Sequence, residues 1–155
     1  RNAYHRFTVD RHLLEAPANA ATLAHRVERP DLLLVGTLLH DIGKGFPGDH
    51  TDVGIELVPE IAGRMGFSPD DVEVLESLVR LHLLLPEMAT RRDLDDPATA
   101  ERVAKEVGDR LTLDLLAALV EADSLATGPS AWSSWQAGLV SDLVTRTKRL
   151  LAGEK

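Results

Sequence analysis

Residues 31–42 constrain the fold more than any other stretch of this chain. They read Asp-Leu-Leu-Leu-Val-Gly-Thr-Leu-Leu-His-Asp-Ile. At helical spacing, Leu32, Leu33, Leu34, Val35, Leu38 and Leu39 cover almost the whole circumference. A helix apolar all round is expected to be buried among other helices. Pro30 suits the first position of that helix, where the missing N–H has no partner to lose. The helix ends in His40-Asp41, followed by the loop Gly43-Lys44-Gly45-Phe46-Pro47-Gly48.

The rest of the chain supplies the company such a helix needs. Thr8 is expected to cap a first helix carrying His12, interrupted or kinked by Pro17 and continuing over 18–26. A third helix is expected from His50 to about Met65, stopping at Gly66. Ser68-Pro69-Asp70-Asp71 combines a cap, a proline and two acids facing the helix dipole, and starts a fourth that carries His82 and stops before Pro86. Residues 87–95 are polar and read as a loop. Further helices are expected from Asp96-Pro97 to Gly108, over 111–126 with Asp123, and from a Ser130 cap to Leu151. No stretch reads as a strand, so the expectation is an all-α bundle of about six to eight helices. Leu and Ala dominate an apolar share of 44%, with only 4% aromatics, which favours helix over strand.

The 155 residues suit one domain, 1–155, with one core. The chain begins at Arg1, and it is expected to be a fragment of a larger multidomain protein. Cysteine is absent, which excludes disulfides and thiolate metal sites. No apolar run approaches the roughly 20 residues of a membrane span, and a cytoplasmic location is expected. A formal net charge of −8 gives no broad attraction for nucleic acid, so no nucleic-acid or membrane partner is expected. A phosphate-bearing substrate would need local positive charge from metal ions or a few placed Arg and Lys.

Three ionisable residues stand on apolar faces. Asp123 shares a helix face with Leu116, Leu119 and Val120; His82 with Leu75, Leu78 and Val79; His40 with Leu33, Gly36 and Thr37. Each alone has an ordinary explanation, as a hydrogen-bonded core histidine or a salt-bridged acid. Together, arriving from separate helices, they are jointly explained by metal coordination, for which His and Asp are standard ligands. His5 and His25 read as ordinary residues.

The ordered set His12, His40-Asp41 and Asp123 on expected helices resembles the HD-domain superfamily of metal-dependent phosphohydrolases. Five segments carry a closer resemblance: Thr8-Val9-Asp10-Arg11-His12-Leu13, Gly48-Asp49-His50-Thr51, Val79-Arg80-Leu81-His82-Leu83-Leu84, Arg91-Arg92-Asp93 and Trp132-Ser133-Ser134-Trp135. In this order they are similar to the central HD domain of the uridylyltransferase/uridylyl-removing family of bacterial nitrogen control. Arg11 and Leu81 stand where many relatives have an acidic residue.

The resemblance implies removal of a nucleotidyl group, UMP or AMP, from a tyrosine of the PII signal protein. It implies flanking nucleotidyltransferase and ACT domains in the full-length protein. It also implies a divalent cofactor of one or two ions, with Mn, Fe or Zn favoured and Mg a further option. His12, His40, Asp41 and Asp123 would hold the first ion, with Asp41 also bridging as a catalytic group, and His50 and His82 would complete a second. Lys44 is the candidate for holding a phosphate oxygen or for protonation, against a solvated loop lysine. Arg91 and Arg92 are candidates for clamping phosphate or an acidic partner, against an exposed structural pair. Trp132 and Trp135, three apart, read as one helix face turned to the core rather than as nucleobase platforms.

Two other functions stay in view. One is hydrolysis of a free nucleotide, although the Gly-Tyr-Pro signature of cyclic-dinucleotide enzymes is missing. The acidic pair of alarmone hydrolases is missing too, because Gly43-Lys44 stands in its place. The other is a non-catalytic regulatory HD module, against which the intact ligand set argues.

Overall fold

The computed structural model describes residues 15–40, 50–128 and 132–153, with side chains in the third helix described from Gly54 onward. The expected Thr8 and Ser130 caps, His12, Asp41 and the 43–48 loop lie outside the described residues. Among the described residues every regular element is helical, and the domain is all-α. Residues 15–22 form α1, followed by a short 3-10 turn, Ala24–Arg26. Then come α2 (Pro30–Leu39), α3 (His50–Arg64), α4 (Pro69–Leu81), α5 (Leu84–Arg91), α6 (Pro97–Val107), α7 (Arg110–Thr127) and α8 (Ser134–Leu151).

The starts follow local chemistry. Ser68 Oγ accepts from the Asp71 amide at 3.2 Å, Asp96 from Ala98 and Asp109 from Thr112, each satisfying an amide that the first turn leaves open. Pro stands first in α2, α4 and α6. Gly108, at φ 83°, closes α6 in the left-handed region.

Four expectations need correction. Residues 15–22 stay helical through Pro17, and the α-helix ends there, short of Arg26. The expected loop over 87–95 is in good part helix: α5 runs from Leu84 to Arg91 and buries Leu85, Met88 and Ala89. Pro86 does not end α4. It is the third residue of α5, where its missing N–H costs no intrahelical bond. The last helix is capped by Ser133, which exchanges a reciprocal pair of bonds with Gln136. Trp132 therefore precedes the helix and packs half-buried on the core, while Trp135 is 64% exposed.

The fourth correction concerns the core. The helix that packs against the most others is α7, not α2. It packs against α2, α4, α5, α6 and α8 and buries Leu113, Leu115, Leu116, Ala118, Leu119, Val120 and Ala122. In α2, Leu32, Leu33 and Leu39 are buried, but Leu34 and Leu38, one turn apart, face outward. The inward side of α2 carries Gly36, where an added Cβ would lie 2.7 Å from Leu78 Cδ1. Its lack of a side chain brings α2 and α4 close together over Leu75, Leu78 and Leu119.

α2 and α4 run parallel. At their starts Arg29 reaches Asp71 in the first turn of α4, with Nη1 on Oδ1 and Nη2 on Oδ2, both at 3.0 Å. At their ends the rings of His40 and His82 lie 5.3 Å apart, edge to face at 75°.

Candidate metal centre

His40 and His82 each occupy the residue directly after a helix, as the C-caps of α2 and α4. There the last carbonyls lack amide partners. His40 Nδ1 donates to Thr37 O at 2.5 Å and His82 Nδ1 donates to Val79 O at 2.6 Å, in each case three residues back. A carbonyl offers only lone pairs, so both Nδ1 atoms must carry the proton. In a neutral ring that leaves Nε2 as the lone-pair nitrogen. Both rings are buried, at 1% and 4% exposure.

His40 Nε2 lies 3.0 Å from Asp123 Oδ1. Asp123 enters from α7, one turn after the fully buried Leu119, at the rim of the core: its side chain is 28% exposed. Its apolar helix neighbours are buried as the spacing implies, but the carboxylate itself reaches towards solvent. A ring nitrogen bearing a lone pair and a carboxylate oxygen repel unless a cation lies between them, either a proton on the ring or a metal ion. Two ligands at right angles, each about 2.1 Å from one ion, stand about 3 Å apart. The donor chemistry and the spacing therefore fit a divalent metal. The Nδ1–H···O=C bonds are the outer contacts that orient metal-binding histidines.

Among the described residues, no three His, Asp or Glu donors converge into a larger cluster. The other expected ligands, His12 and Asp41, and Lys44 lie outside the described residues, as does the side chain of His50. Of the expected set, the structure pairs His40 with Asp123 and places the His82 ring beside that of His40. Arg91 and Arg92 are exposed at the end of α5, and Arg91 pairs with Glu87 on its own helix at 3.9 Å. Trp132 lines a cavity of about 340 Å³ with Ala117, Val140 and Lys148, and none of the expected ligands lines it.

Polar residues that the sequence reading passed over support the site. Asn19 of α1 donates to the carbonyl of Ala122 at 3.3 Å, and Arg26 pairs with Glu121 at 3.0 Å. Both grasp α7 just before Asp123. Arg29 holds Asp31 as well as Asp71, donating through Nε and Nη2 at 3.1 and 3.0 Å. The hydrogen bond to Arg29 holds the carboxyls of Asp31 and Asp71 below the usual range. The two acids in turn raise the guanidinium, Asp31 first. A hint was legible: Arg29-Pro30-Asp31 puts a cation two residues from an acid at a helix start.

An all-helical bundle that sets a buried histidine against an aspartate, with a second histidine ring beside the first, suits the class of helical metal-dependent hydrolases. The HD domain family matches residues 9–128, and the chain belongs to it, as a metal-dependent phosphohydrolase domain. The relatives are more specific. The chain is 60% identical over 154 residues to the bifunctional uridylyltransferase/uridylyl-removing enzyme of Streptomyces coelicolor, covering 99% of this chain and 18% of that enzyme. It is 56% identical over 155 residues to the enzyme of that name from Mycobacterium tuberculosis, covering 99% and 19%. It is 40% identical over 165 residues to that of Ruegeria pomeroyi, covering 97% and 18%. The chain thus spans less than a fifth of the length of these relatives.

Proposed function

We propose that the chain is the nucleotidyl-removing part of a larger enzyme, hydrolysing the phosphodiester that links UMP, or AMP, to a tyrosine of the PII signal protein. The observation that carries this reading is the pairing of a lone-pair Nε2 on His40 with the Asp123 carboxylate at 3.0 Å. The relatives named for uridylyl removal supply the reaction type. Flanking nucleotidyltransferase and ACT domains and a cytoplasmic location belong to the same proposal. No described helix is long and apolar enough to cross a membrane.

In this reading His12, His40, Asp41 and Asp123 hold one divalent ion, and His50 and His82 complete a second site. A bound divalent ion supplies Lewis-acid charge at the phosphate and lowers the pKa of water. The protein groups have separate tasks. The Thr37 and Val79 carbonyls keep the Nε2 atoms of His40 and His82 aimed at the site. Asp123 and Asp41 balance positive charge. Lys44 holds a phosphate oxygen or delivers a proton, and Arg91 and Arg92 bind phosphate or the acidic surface of the partner. A tyrosine leaving group has an ordinary pKa of about 10, so it departs with less protonation than a serine alkoxide would need.

The test is release of mononucleotide from uridylylated and adenylylated PII in the presence of Mn²⁺, before and after chelation. Metal-dependent release of UMP or AMP is the expected result. Turnover of free cyclic dinucleotides or alarmones, with modified PII untouched, would replace the reading.

A further inference from the structure

The α2–α4 pair has a symmetry of length. His40 lies eleven positions after Arg29, and His82 lies eleven positions after Asp71. Arg29 is the residue before α2 and Asp71 lies in the first turn of α4, while the two histidines are the C-caps. Both spans follow helical rise, so each runs about 16 Å from the Arg29–Asp71 contact to the histidine pair. The surface between them is Gly36 against Leu75 and Leu78, with Leu119 from α7 beneath. Such contacts are attractive but non-directional. The Arg29 fork is directional: it makes two parallel bonds to Asp71, and its Nε and Nη2 also meet Asp31 on α2.

We propose that Arg29 is a positioning residue that sets the axial register of α2 against α4, and so the relative placement of the His40 and His82 Nε2 atoms at the far end. It touches neither ion nor substrate. A helix is stiff along its axis, so a slip of one helix along the other at the fork is carried to the rings. Metal sites tolerate only about half an ångström of such error. Arg is suited to this over Lys because its planar fork fixes an angle as well as a distance.

The metal arm of the test rests on the proposed function; the ring arm does not. In the 155-residue chain, Arg29→Met is expected to weaken Mn²⁺ binding about three- to tenfold, less than direct loss of an outer contact to a ligand. Arg29→Lys should fall between it and the parent. In the metal-free protein, Arg29→Met should also shift the NMR signals of the His40 and His82 ring protons, which each ring's current sets in the other. Ser133→Ala, which removes the cap of α8, is the stability control: it should lower the Tm without moving either readout. A folded Arg29→Met chain with a lower Tm but parental Mn²⁺ affinity and ring signals would show that the fork only stabilises, and the proposal would fall. If Arg29→Met does not fold, Asp71→Asn removes the charge on the α4 side alone and is read in the same way. A parent chain that binds no Mn²⁺ would sink the proposed function, while the ring signals would still decide the register.

Discussion

The two ends of the α2–α4 pair are both closed by polar side chains, and they are closed differently. At the Arg29 end donors meet acceptors: one guanidinium faces two carboxylates, and protein atoms complete the arrangement. At the histidine end each Nδ1–H has been spent on a helix carbonyl, and the outward Nε2 of His40 meets a carboxylate. The His40–Asp123 pairing calls for a cation between the two, a proton on the ring or a metal ion. The same economy that satisfies the last helical turn creates the site, because using the ring's proton inward leaves its lone pair outward. A structural end and a functional end thus differ in what meets the carboxylates: a guanidinium at one, a ring nitrogen that shares a proton or a metal ion at the other.

The contrast can be broken most severely at Asp123. Asp123→Asn keeps the shape, removes the negative charge and can donate to Nε2, so the end would close without a cation. Metal affinity and metal-dependent hydrolysis should each fall at least about 100-fold, with helical circular dichroism retained. A folded variant with parental metal stoichiometry would show that the carboxylate is not part of the centre.

Between the ends, the contact that joins them can be spoiled in opposite senses. Leu78 is fully buried, and Leu78→Ala should cost about 2–5 kcal/mol, read by urea denaturation. Gly36→Ala adds a Cβ 2.7 Å from Leu78 Cδ1, which must move within a packed core; about 1–3 kcal/mol is expected. If Gly36→Ala proves neutral, α2 and α4 are not held close by the absence of that side chain.

The smallest effect belongs to acid. The folded-state pKa values of Asp31 and Asp71 lie below their ordinary range, chiefly through the bond to Arg29. Depressed carboxylates contribute stability that is present above the ordinary carboxylate pKa and is lost as pH falls through the lowered values. Because Asp31 is half-exposed and Arg29 and Asp71 are partly exposed, the contribution is modest. Asp71→Asn should flatten the acid limb of a plot of Tm against pH, and an unchanged slope would mean that the fork is screened away in solution.

Much of this was legible from residue order. Caps and prolines located the starts of α4 and α6 to within a residue or two, because helix starts are decided by local hydrogen bonds. The burial of His40 and His82 followed from their helix neighbours. What failed depended on tertiary context. Pro86 reads as a stop signal unless one knows that the chain restarts two residues before it. Leu34 and Leu38 belong to an apolar run but face outward, since α7 takes the central position. Arg29 and Asp71 are 42 residues apart, and only the fold makes them neighbours.

The equal spans from the fork to the histidines also bear on how such a chain can change length. One residue inserted between 29 and 40 would turn His40 by about 100° and advance it about 1.5 Å, aiming its ring away from Asp123. A compensating insertion between 71 and 82 would restore the axial match but leave both rings misdirected. Among variants that retain the centre, both intervals should therefore keep their lengths, and additions and deletions should collect in connectors, such as residues 92–96 between α5 and α6.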